Sequence, residues 1–302
     1  MMLPPEIPER PFTWAQAERA GMSRRTLDDL VRNHKVRRVL QGVYVRADLA
    51  DDQEVRVQAA ALALRPFVVV CDRTAAWIHG VETFRYRELD VPPPLETYAL
   101  RGRCRTTRKQ CAGGTRDLSD EDIMAIGGVL VTTPLRTALD LGCKLSRHEA
   151  IAALDWFMRV HGITREELEA QLPRYFRRRG VVQLRELIPL ADPRAESTGE
   201  SWTRLEIRDA GLPAPQPQYW VVHEGRELFR LDLAYPHARV AVEYDGQEFH
   251  TSSEEQREHD RARRQWLRDH GWTVIVVDKD SFTFEALAAW LGELRVALRL
   301  AA

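Results

Sequence analysis

Residues 228–246 read LFRLDLAYPHARVAVEYDG, two strongly apolar runs on either side of a short turn. Apolar and polar residues alternate along the runs as they do in β-strands, and the short connection predicts an antiparallel hairpin. Three acidic residues, Asp232, Glu243 and Asp245, interrupt the apolar pattern. Aspartate is depleted in strands, so its presence in both arms of the hairpin needs a specific reason.

The length of the connecting loop decides which side chains share a face of this hairpin. If the loop has an even number of residues, such as Pro236-His237, Asp232 lies opposite Ala241. Residues two apart point to the same side of a strand, so Asp232, Glu243 and Asp245 then project together. The opposite face is filled by apolar side chains, those of Leu231, Leu233, Val240 and Val242.

A face with three carboxylates is unfavourable unless protons or a cation neutralise it. Clustered carboxylate oxygens suit Mg²⁺ or Mn²⁺, hard cations that keep part of their water and can bridge to a scissile phosphate. The alternative is an acidic strand edge that binds no ion. We favour the metal site, because acidic residues within two apolar runs carry a local cost that a bound cation would offset.

Helical patterns flank the hairpin on both sides. Residues 200–209, ESWTRLEIRD, predict a helix that ends at Gly211 and carries Glu200 in its first turn. After the hairpin a second helix is predicted to run to Gly271. Arginines recur along it at helical spacing, at Arg257, Arg261, Arg264 and Arg268. This stripe is suited to face phosphate, and a solvated basic face explains it equally well.

The N-terminal segment predicts a helix, a turn and a second helix. The first helix covers Thr13–Ala20, Gly21 breaks it, and Ser23 caps a second helix that reaches about Asn33. A two-stranded ribbon around Gly42 follows, because the apolar residues there change to a period of two. This order of elements is the layout of a winged helix.

In a winged helix the second helix enters the DNA major groove by its N-terminal residues, and the ribbon reaches phosphates. The candidate DNA contacts are therefore Ser23, Arg24, Arg25 and Thr26 on the helix, with Arg37 and Arg38 on the ribbon. The alternative is a small helical domain that touches no nucleic acid.

A chain of 302 residues is long for one hydrophobic core, so several domains are expected. Mixed helical and strand-like runs follow the ribbon, and a stretch rich in proline, serine and glycine begins after Leu190. We divide the chain into a winged helix (1–51), a mixed α/β middle domain (52–190) and a C-terminal α/β domain (191–302). The middle domain contains a basic loop, residues 101–116, that is a further candidate for phosphate contact.

Overall composition is that of a folded, soluble protein, with 44% hydrophobic and 29% charged residues and a net charge of −1. Neither a signal peptide nor an apolar stretch long enough to span a membrane is present in the sequence. We therefore expect a cytoplasmic protein that makes no membrane contact.

Residues 12–45, FTWAQAERAGMSRRTLDDLVRNHKVRRVLQGVYV, resemble the N-terminal winged-helix domain of AbiEi-type antitoxins from toxin–antitoxin systems. The matching features are the AGMS turn, the hydrophobic spacing and the closing GVYV. The stretch DRTAAWIHG at 72–80 resembles a segment that follows the winged helix in these proteins, with Asp72 where histidine is common. The resemblance implies DNA binding, often autoregulatory. It leaves open a homodimer or a toxin partner.

Residues 194–282 resemble the PD-(D/E)XK nuclease superfamily, and within it the group related to very-short-patch-repair endonucleases. The matching order is a helical glutamate, Asp232, then Glu243-Tyr-Asp245-Gly, then His250 and a helix that ends before Gly271-Trp272. The resemblance implies a restriction-endonuclease-like α/β fold. It also implies that Asp232, Glu243 and Glu200 are metal ligands and that Gln218 contacts the site.

One position departs from the superfamily pattern. Asp245 stands where a lysine normally orients or activates the attacking water. Related repair endonucleases use histidines near this place, which makes His250 the candidate general acid or base, since a histidine side chain ordinarily has a pKa near neutral. Without the lysine, a domain that binds nucleic acid and does not cut it stays an open alternative.

The leading hypothesis is a Mg²⁺-dependent DNA endonuclease that a winged helix delivers to double-stranded DNA. The metal is held by Asp232 and Glu243, with Asp245 and Glu200 as direct or water-mediated ligands. The second hypothesis is an antitoxin-type transcriptional regulator with an inactive nuclease fold. The third is an RNA-cleaving toxin, which differs from the first only in substrate.

Overall fold

The structure, a computed structural model, describes residues 7–64, 68–83, 95–100, 102, 111–246 and 254–299. The chain divides into two compact units. Unit 1 comprises Met1–Lys144 and Val160–Val181, and unit 2 comprises Leu145–Arg159 and Val182–Ala302. Both units combine helices with β-sheet, which confirms the predicted α+β class. The division at residues 51 and 190 remains a prediction.

Unit 1 begins with a helix, a turn, a second helix and a ribbon, as predicted. The elements are β1 (Phe12–Thr13), α1 (Trp14–Arg19), α2 (Arg24–Arg32), β2 (Val36–Leu40) and β3 (Val43–Arg46). The three strands form an antiparallel sheet in the order β1-β3-β2. Thr13 and Gln16 form a capping box at α1, and Ser23 Oγ accepts the Thr26 N–H at 3.0 Å to begin α2. Phe12 and Leu27 are buried in the core beneath these elements.

The rest of unit 1 is built on a five-stranded mixed sheet. Its strands are β4 (Val68–Val70), β5 (Leu95–Ala99), β6 (Cys111–Thr115), β7 (Ile123–Ile126) and β8 (Val129–Thr132), in the order β6-β5-β4-β8-β7. Its helices are α3 (Gln53–Ala63), α4 (Asp72–Ile78) and α5 (Pro134–Lys144), and α7 (Arg165–Gln171) also belongs to unit 1. Strand β6 contains two glycines, and at Gly113 a Cβ would lie 1.6 Å from the Thr97 carbonyl oxygen on β5. Close approach of the two backbones therefore requires the glycine.

Unit 2 is built on a four-stranded sheet in the order β12-β11-β10-β9. Its strands are β9 (Gln216–His223), β10 (Arg226–Tyr235), β11 (Val240–Tyr244) and β12 (Thr273–Val277). The helices that lie wholly or mainly in unit 2 are α6 (Arg147–His161), α8 (Val181–Leu187), α9 (Thr198–Asp209), α10 (Glu254–Asp269) and α11 (Phe284–Ala297). Strands β11 and β12 are parallel, and α10 lies between them in sequence.

Two apolar clusters lie on opposite faces of this sheet. Ile207 of α9 and Trp290 of α11 belong to one cluster, which includes Val242. Leu267 of α10 belongs to the other, which includes Ala241. Neighbouring residues on a strand face opposite sides, so the sheet is packed between α9 and α11 on one face and α10 on the other. In the part of the chain that the structure describes, no helix is both long and apolar enough to cross a membrane.

The register of the central hairpin corrects one prediction. Tyr235 pairs with Val240, so the loop has four residues instead of two, and Ala234, not Asp232, lies opposite Ala241. The loop takes four residues because two successive turns close it, with hydrogen bonds from Ala238 N to Tyr235 O and from Arg239 N to the next carbonyl. The number of loop residues is still even. Asp232 and Glu243 therefore share a face, as the parity argument requires.

Leu231 also departs from the prediction. Leu233, Val240 and Val242 share one cluster, but Leu231 packs with Ala241 on the other face of the sheet. The change of face coincides with a backbone irregularity at Gln218 on the adjacent strand, where φ is 55°. Such a left-handed conformation is uncommon for a residue other than glycine and interrupts the regular alternation of a strand.

A buried ion pair joins α6 to α9 within unit 2. Arg204 donates to the carboxylate of Asp155, whose side chain is 0% exposed. Asp155 also accepts the backbone N–H of Asp192 at 2.7 Å. One carboxylate thus fixes two helices and the segment between them.

We expect Asp155→Ala to lower the free energy of unfolding of unit 2 by about 3–5 kcal/mol, because it leaves the Arg204 guanidinium buried without its counter-charge. The matched control is Arg194→Ala, which breaks an ion pair with Asp192 whose arginine is 59% exposed. That change should cost less than about 1 kcal/mol. Urea denaturation of both variants measures the difference, and equal losses would contradict the prediction.

Candidate functional site

Three polar side chains form a row across adjacent strands of unit 2. Between β9 and β10, the pairs Leu231–Tyr219 and Leu233–Pro217 lie on either side of Asp232 and Gln218. Leu233 and Val242 form the last pair between β10 and β11, and Asp232 and Glu243 are the next residues beyond that pair. The structure thus brings together the two carboxylates that strand parity predicted and the glutamine that the resemblance implied.

Asp232 lies where the pairing of β10 with β11 ends. Its Oδ2 accepts the backbone N–H of Tyr244 at 2.9 Å, so a side chain satisfies a strand N–H at this point. Burial raises the pKa of the Asp232 carboxyl to about 6, against the effect of this hydrogen bond, and the nearby charge of Glu243 adds to the shift. Ionisation of both Asp232 and Glu243 is therefore unfavourable at this site without a neutralising positive charge.

Glu243 is buried, and its two carboxylate oxygens have different surroundings. Oε2 accepts a hydrogen bond from Arg263 at 2.7 Å and lies 3.9 Å from Arg264 Nε. Oε1 is buried without a hydrogen-bond partner among the described residues. Burial raises the pKa of Glu243 even though both guanidinium groups favour its ionised form. A buried carboxylate oxygen without a partner is costly, which marks this atom as a candidate ligand.

Glu200 reaches the site from the first turn of α9. Its Oε2 accepts the Gln218 amide at 2.8 Å and the backbone N–H of Glu196 at 2.9 Å. Burial raises the pKa of Glu200, and the charge of Asp232 contributes to the rise. Glu200 is therefore held by protein donors and interacts electrostatically with Asp232.

The close approach of α9 to β11 depends on Gly199. A Cβ at this position would lie 2.1 Å from the ring of Tyr244. The ring occupies the space that a side chain at 199 would fill, directly before Glu200 in the helix. Gly199 and Tyr244 together therefore set how near Glu200 comes to the strand residues.

The remaining predicted residues of this site lie at its edge or outside the described part of the chain. Asp245 is half-exposed and accepts a hydrogen bond from Arg264 at 2.9 Å. Arg261 is exposed on α10. His250 lies outside the described residues, as does the side chain of Arg257.

Sequence reasoning missed Arg263 and gave Arg264 a different role. The predicted arginine stripe placed Arg264 toward phosphate, whereas both side chains reach carboxylates of the sheet. The available signal was Leu267, a buried apolar residue of α10, because positions three and four before it lie on the same helix face. Counting back from that residue gives Arg264 and Arg263.

These residues fit a divalent cation held by two carboxylates. Mg²⁺ is commonly bound through one or two carboxylates with water completing its shell. Asp232 and Glu243 supply two buried carboxylates of raised pKa and one oxygen without a partner. Among the described residues, no group of three or more His, Cys, Asp and Glu side chains is placed to hold a metal. The predicted four-ligand set, Asp232, Glu243, Asp245 and Glu200, therefore stays a prediction.

The predicted DNA-contact residues of α2 are at the surface. Ser23, Arg24, Arg25 and Thr26 are all exposed. Ser23 and Thr26 share a hydroxyl–hydroxyl hydrogen bond of 2.7 Å. Arg24 lies 3.4 Å from Asp28 and packs over the Trp14 ring. The first turn of α2 thus presents polar and cationic groups to solvent.

The two ribbon arginines differ in their surroundings. Arg37 donates to the carbonyl of Leu49 at 3.1 Å and lies 3.7 Å from Asp51. Arg38 is half-buried and its Nε has no hydrogen-bond partner among the described residues. Neighbours on a strand point to opposite faces, so one flat surface does not engage both in the same way.

The pH dependence of stability tests the environment of Asp232. Burial favours the protonated form of the Asp232 carboxyl in the folded protein. The stability that this protonated form contributes is therefore fully present below about pH 4 and is lost as the pH rises through about 6. We expect Asp232→Asn to gain up to about 3 kcal/mol in unfolding free energy, relative to wild type, between pH 4 and pH 7. Urea unfolding without divalent cations measures this, with exposed Glu227→Gln on the same strand as control. Parallel pH profiles for wild type and Asp232→Asn would show that burial does not perturb this carboxyl.

Comparison with known proteins identifies relatives that cover most of the chain. Residues 68–190 match the family described as the AbiEi antitoxin C-terminal domain. Two Mycobacterium tuberculosis proteins, "Uncharacterized protein MT2308" and "Uncharacterized protein Rv2248", are each 33% identical over 259 residues. The matched region covers 86% of this chain and 91% of each relative. The chain therefore belongs to the same family as these mycobacterial proteins, and it contains a region similar to the AbiEi antitoxin C-terminal domain.

Proposed function

We propose that this chain is a Mg²⁺-dependent endonuclease whose N-terminal helix–turn–helix binds double-stranded DNA. The observation that carries the proposal is the pair of buried carboxylates, Asp232 and Glu243, where two strands stop pairing. Both have a raised pKa, and Glu243 keeps one buried oxygen without a partner. A divalent cation at this point would remove the repulsion and satisfy that oxygen.

In this proposal Asp232 and Glu243 hold the cation, which would lower the pKa of a bound water and neutralise charge on the scissile phosphate. Arg263 fixes the orientation of Glu243 through its hydrogen bond to Oε2. Gln218 fixes Glu200 near the strand residues. Asp245 and Glu200 are additional ligands, directly or through water. His250 is the candidate general acid or base, in the role that lysine has elsewhere in the superfamily.

Delivery to DNA rests on the exposed first turn of α2. Arg25 is exposed two residues after the Ser23 cap, at the end of the helix that enters the major groove in winged-helix proteins. Arg37 and Arg38 on the ribbon, and Arg261 on α10, are the proposed phosphate contacts. Phosphate contacts of this kind supply affinity without reading sequence.

Substitution of the paired carboxylates tests the nuclease. We expect Asp232→Asn and Glu243→Gln each to lower Mg²⁺-dependent nicking of supercoiled plasmid by at least about a hundredfold, because each removes a charged cation ligand. Glu227→Gln, exposed on β10, is the matched control and should cut as wild type does. Parallel incubation with tRNA separates a DNA endonuclease from an RNA-cleaving toxin. Cleavage that survives both substitutions would contradict the site.

A second function is favoured by the match of residues 68–190 to the AbiEi antitoxin C-terminal domain. This second function is that of an antitoxin-type transcriptional regulator. As a component of a toxin–antitoxin system, the chain would repress its own promoter, either alone or together with a toxin partner or a second copy of itself. The pairing of Arg263 and Arg264 with Glu243 and Asp245 also supports it, because two guanidinium groups already neutralise part of the site.

Promoter binding tests this second function. We expect Arg25→Ala to weaken binding to the chain's own promoter DNA and to lower the slope of log affinity against log salt by about one. Arg32→Ala is the control, because Arg32 lies at the opposite end of α2 and pairs with Asp29. Fluorescence anisotropy over a salt series measures both. Tight promoter binding without Mg²⁺-dependent cleavage supports the regulator, and equal salt slopes for Arg25→Ala and wild type would contradict it.

A further inference from the structure

A cleft of about 460 Å³ opens in unit 1, formed by β5, the end of β6, α5 and the segment before α8. The residues that line it are Tyr98, Arg116, Asp140, Cys143, Lys144, Arg178 and Arg179. Four of these seven side chains are cationic and one is acidic. The cleft is therefore strongly basic within a chain whose net charge is −1.

The single lining carboxylate does not neutralise the cleft. Asp140 is 3% exposed, and each of its oxygens already has cationic partners. It accepts from Arg116 and from Arg136, and Arg178 lies 3.0 Å from its Oδ1. Tyr175 donates a further hydrogen bond to Oδ1 at 2.7 Å. The charge of Asp140 is thus shared among three guanidinium groups.

A second buried carboxylate, which is not part of the lining, pairs with two of the cationic side chains that line the cleft. Asp72 is 1% exposed and accepts from Arg116 at 3.0 Å and from Lys144 at 2.8 Å. Tyr98 donates to the same carboxylate at 3.0 Å. Asp72 adopts a left-handed backbone conformation, with φ of 52°, which persists only where the surrounding contacts enforce it. With the acidic Asp72 and Glu96 counted behind the lining, and with Arg136 paired with the buried Asp122, one positive charge remains in excess.

The wall of the cleft that carries Arg178 and Arg179 is positioned by a glycine. Gly180 has φ of 83°, and a Cβ there would lie 2.0 Å from the carbonyl oxygen of Cys143. The backbone after Arg178 and Arg179 is therefore pressed directly against the end of α5. Because both walls are fixed before a ligand arrives, little conformational entropy is lost on binding.

The side chains suit binding better than covalent chemistry. Burial raises the pKa of the Cys143 thiol to about 11, so this sulfur is a neutral thiol at physiological pH and a poor nucleophile. Although burial alone would lower it, the pKa of Lys144 is raised because Asp72 and Glu96 lie beside the ammonium group. The cleft therefore stays cationic across the physiological range.

The shape and charge of the cleft match a phosphate. Planar guanidinium groups pair with phosphate oxygens in a fork geometry, and a lysine adds a compact charge. A phosphomonoester carries up to two negative charges near neutral pH, and the mainly cationic lining of the cleft complements them. The volume falls in the range of pockets that enclose small ligands.

We propose that this cleft binds a phosphomonoester, either that of a nucleotide or the 5′-terminal phosphate of a nucleic-acid strand. Arg178, Arg179 and Lys144 contact the phosphate oxygens, and Arg116 supports them from the floor. The inference concerns unit 1 and stands independently of the cation site in unit 2.

Isothermal titration of the full chain tests the proposal with matched pairs of probes. Adenosine 5′-monophosphate is compared with adenosine, and a 5′-phosphorylated oligonucleotide with the same strand bearing a 5′-hydroxyl. We expect the phosphorylated member to bind more tightly in at least one pair, and the pair that responds identifies the source of the phosphate. Inorganic phosphate should compete.

Exposed Arg179→Gln should weaken this phosphate-dependent binding about tenfold, since it removes one charge-assisted hydrogen bond. Lys144→Gln provides a second substitution, and thermal unfolding checks that each variant folds. Arg177→Gln is the matched control, because Arg177 is exposed two residues away and packs over Phe176. Equal binding of phosphorylated and unphosphorylated probes, or unchanged affinity in Arg179→Gln, would overturn the proposal.

Discussion

The hydrogen bond from the Tyr244 N–H to Asp232 is the interaction on which the arrangement of unit 2 depends. A strand N–H that loses its ladder partner at the end of a pairing must find another acceptor, because an unsatisfied buried amide is costly. Here a carboxylate accepts it, and this fixes Asp232 at the point where β10 and β11 part. The same point brings Glu243 alongside, and Gln218 on β9 completes the row.

The carboxylates of Asp232 and Glu243 repel each other at this buried point. Arginines from one helix reduce this repulsion. Arg263 and Arg264 lie on the face of α10 that contains Leu267, so the helix that covers the sheet also supplies the counter-charges. Unit 1 also contains buried charges of both signs, in the opposite arrangement. There the buried acids Asp72 and Asp140 hold the cations in place, and the excess of positive charge is presented to the cleft.

Much of the fold was predictable because local patterns and tertiary packing agree. Ser23 and Thr13 cap the helices that their spacing indicates, and the even loop puts Asp232 and Glu243 on one face. The register itself was not predictable, because the number of residues in the turn depends on how Arg239 closes it. Arg263 pairs with Glu243 because its side of α10 faces the sheet. Helical spacing alone does not show which side of α10 faces the sheet, so it does not distinguish Arg263 from the other arginines of the helix. The basic cleft draws residues from four distant segments, and no local motif joins them.

Gly199 has a consequence for how relatives of this protein vary. The Tyr244 ring fills the volume that a side chain at 199 would need, so the two positions share one space. A larger residue at 199 is compatible with the same helix position only when a smaller one replaces the tyrosine. Across the family these two positions should therefore covary, as a pair whose summed volume is conserved although neither residue is a ligand.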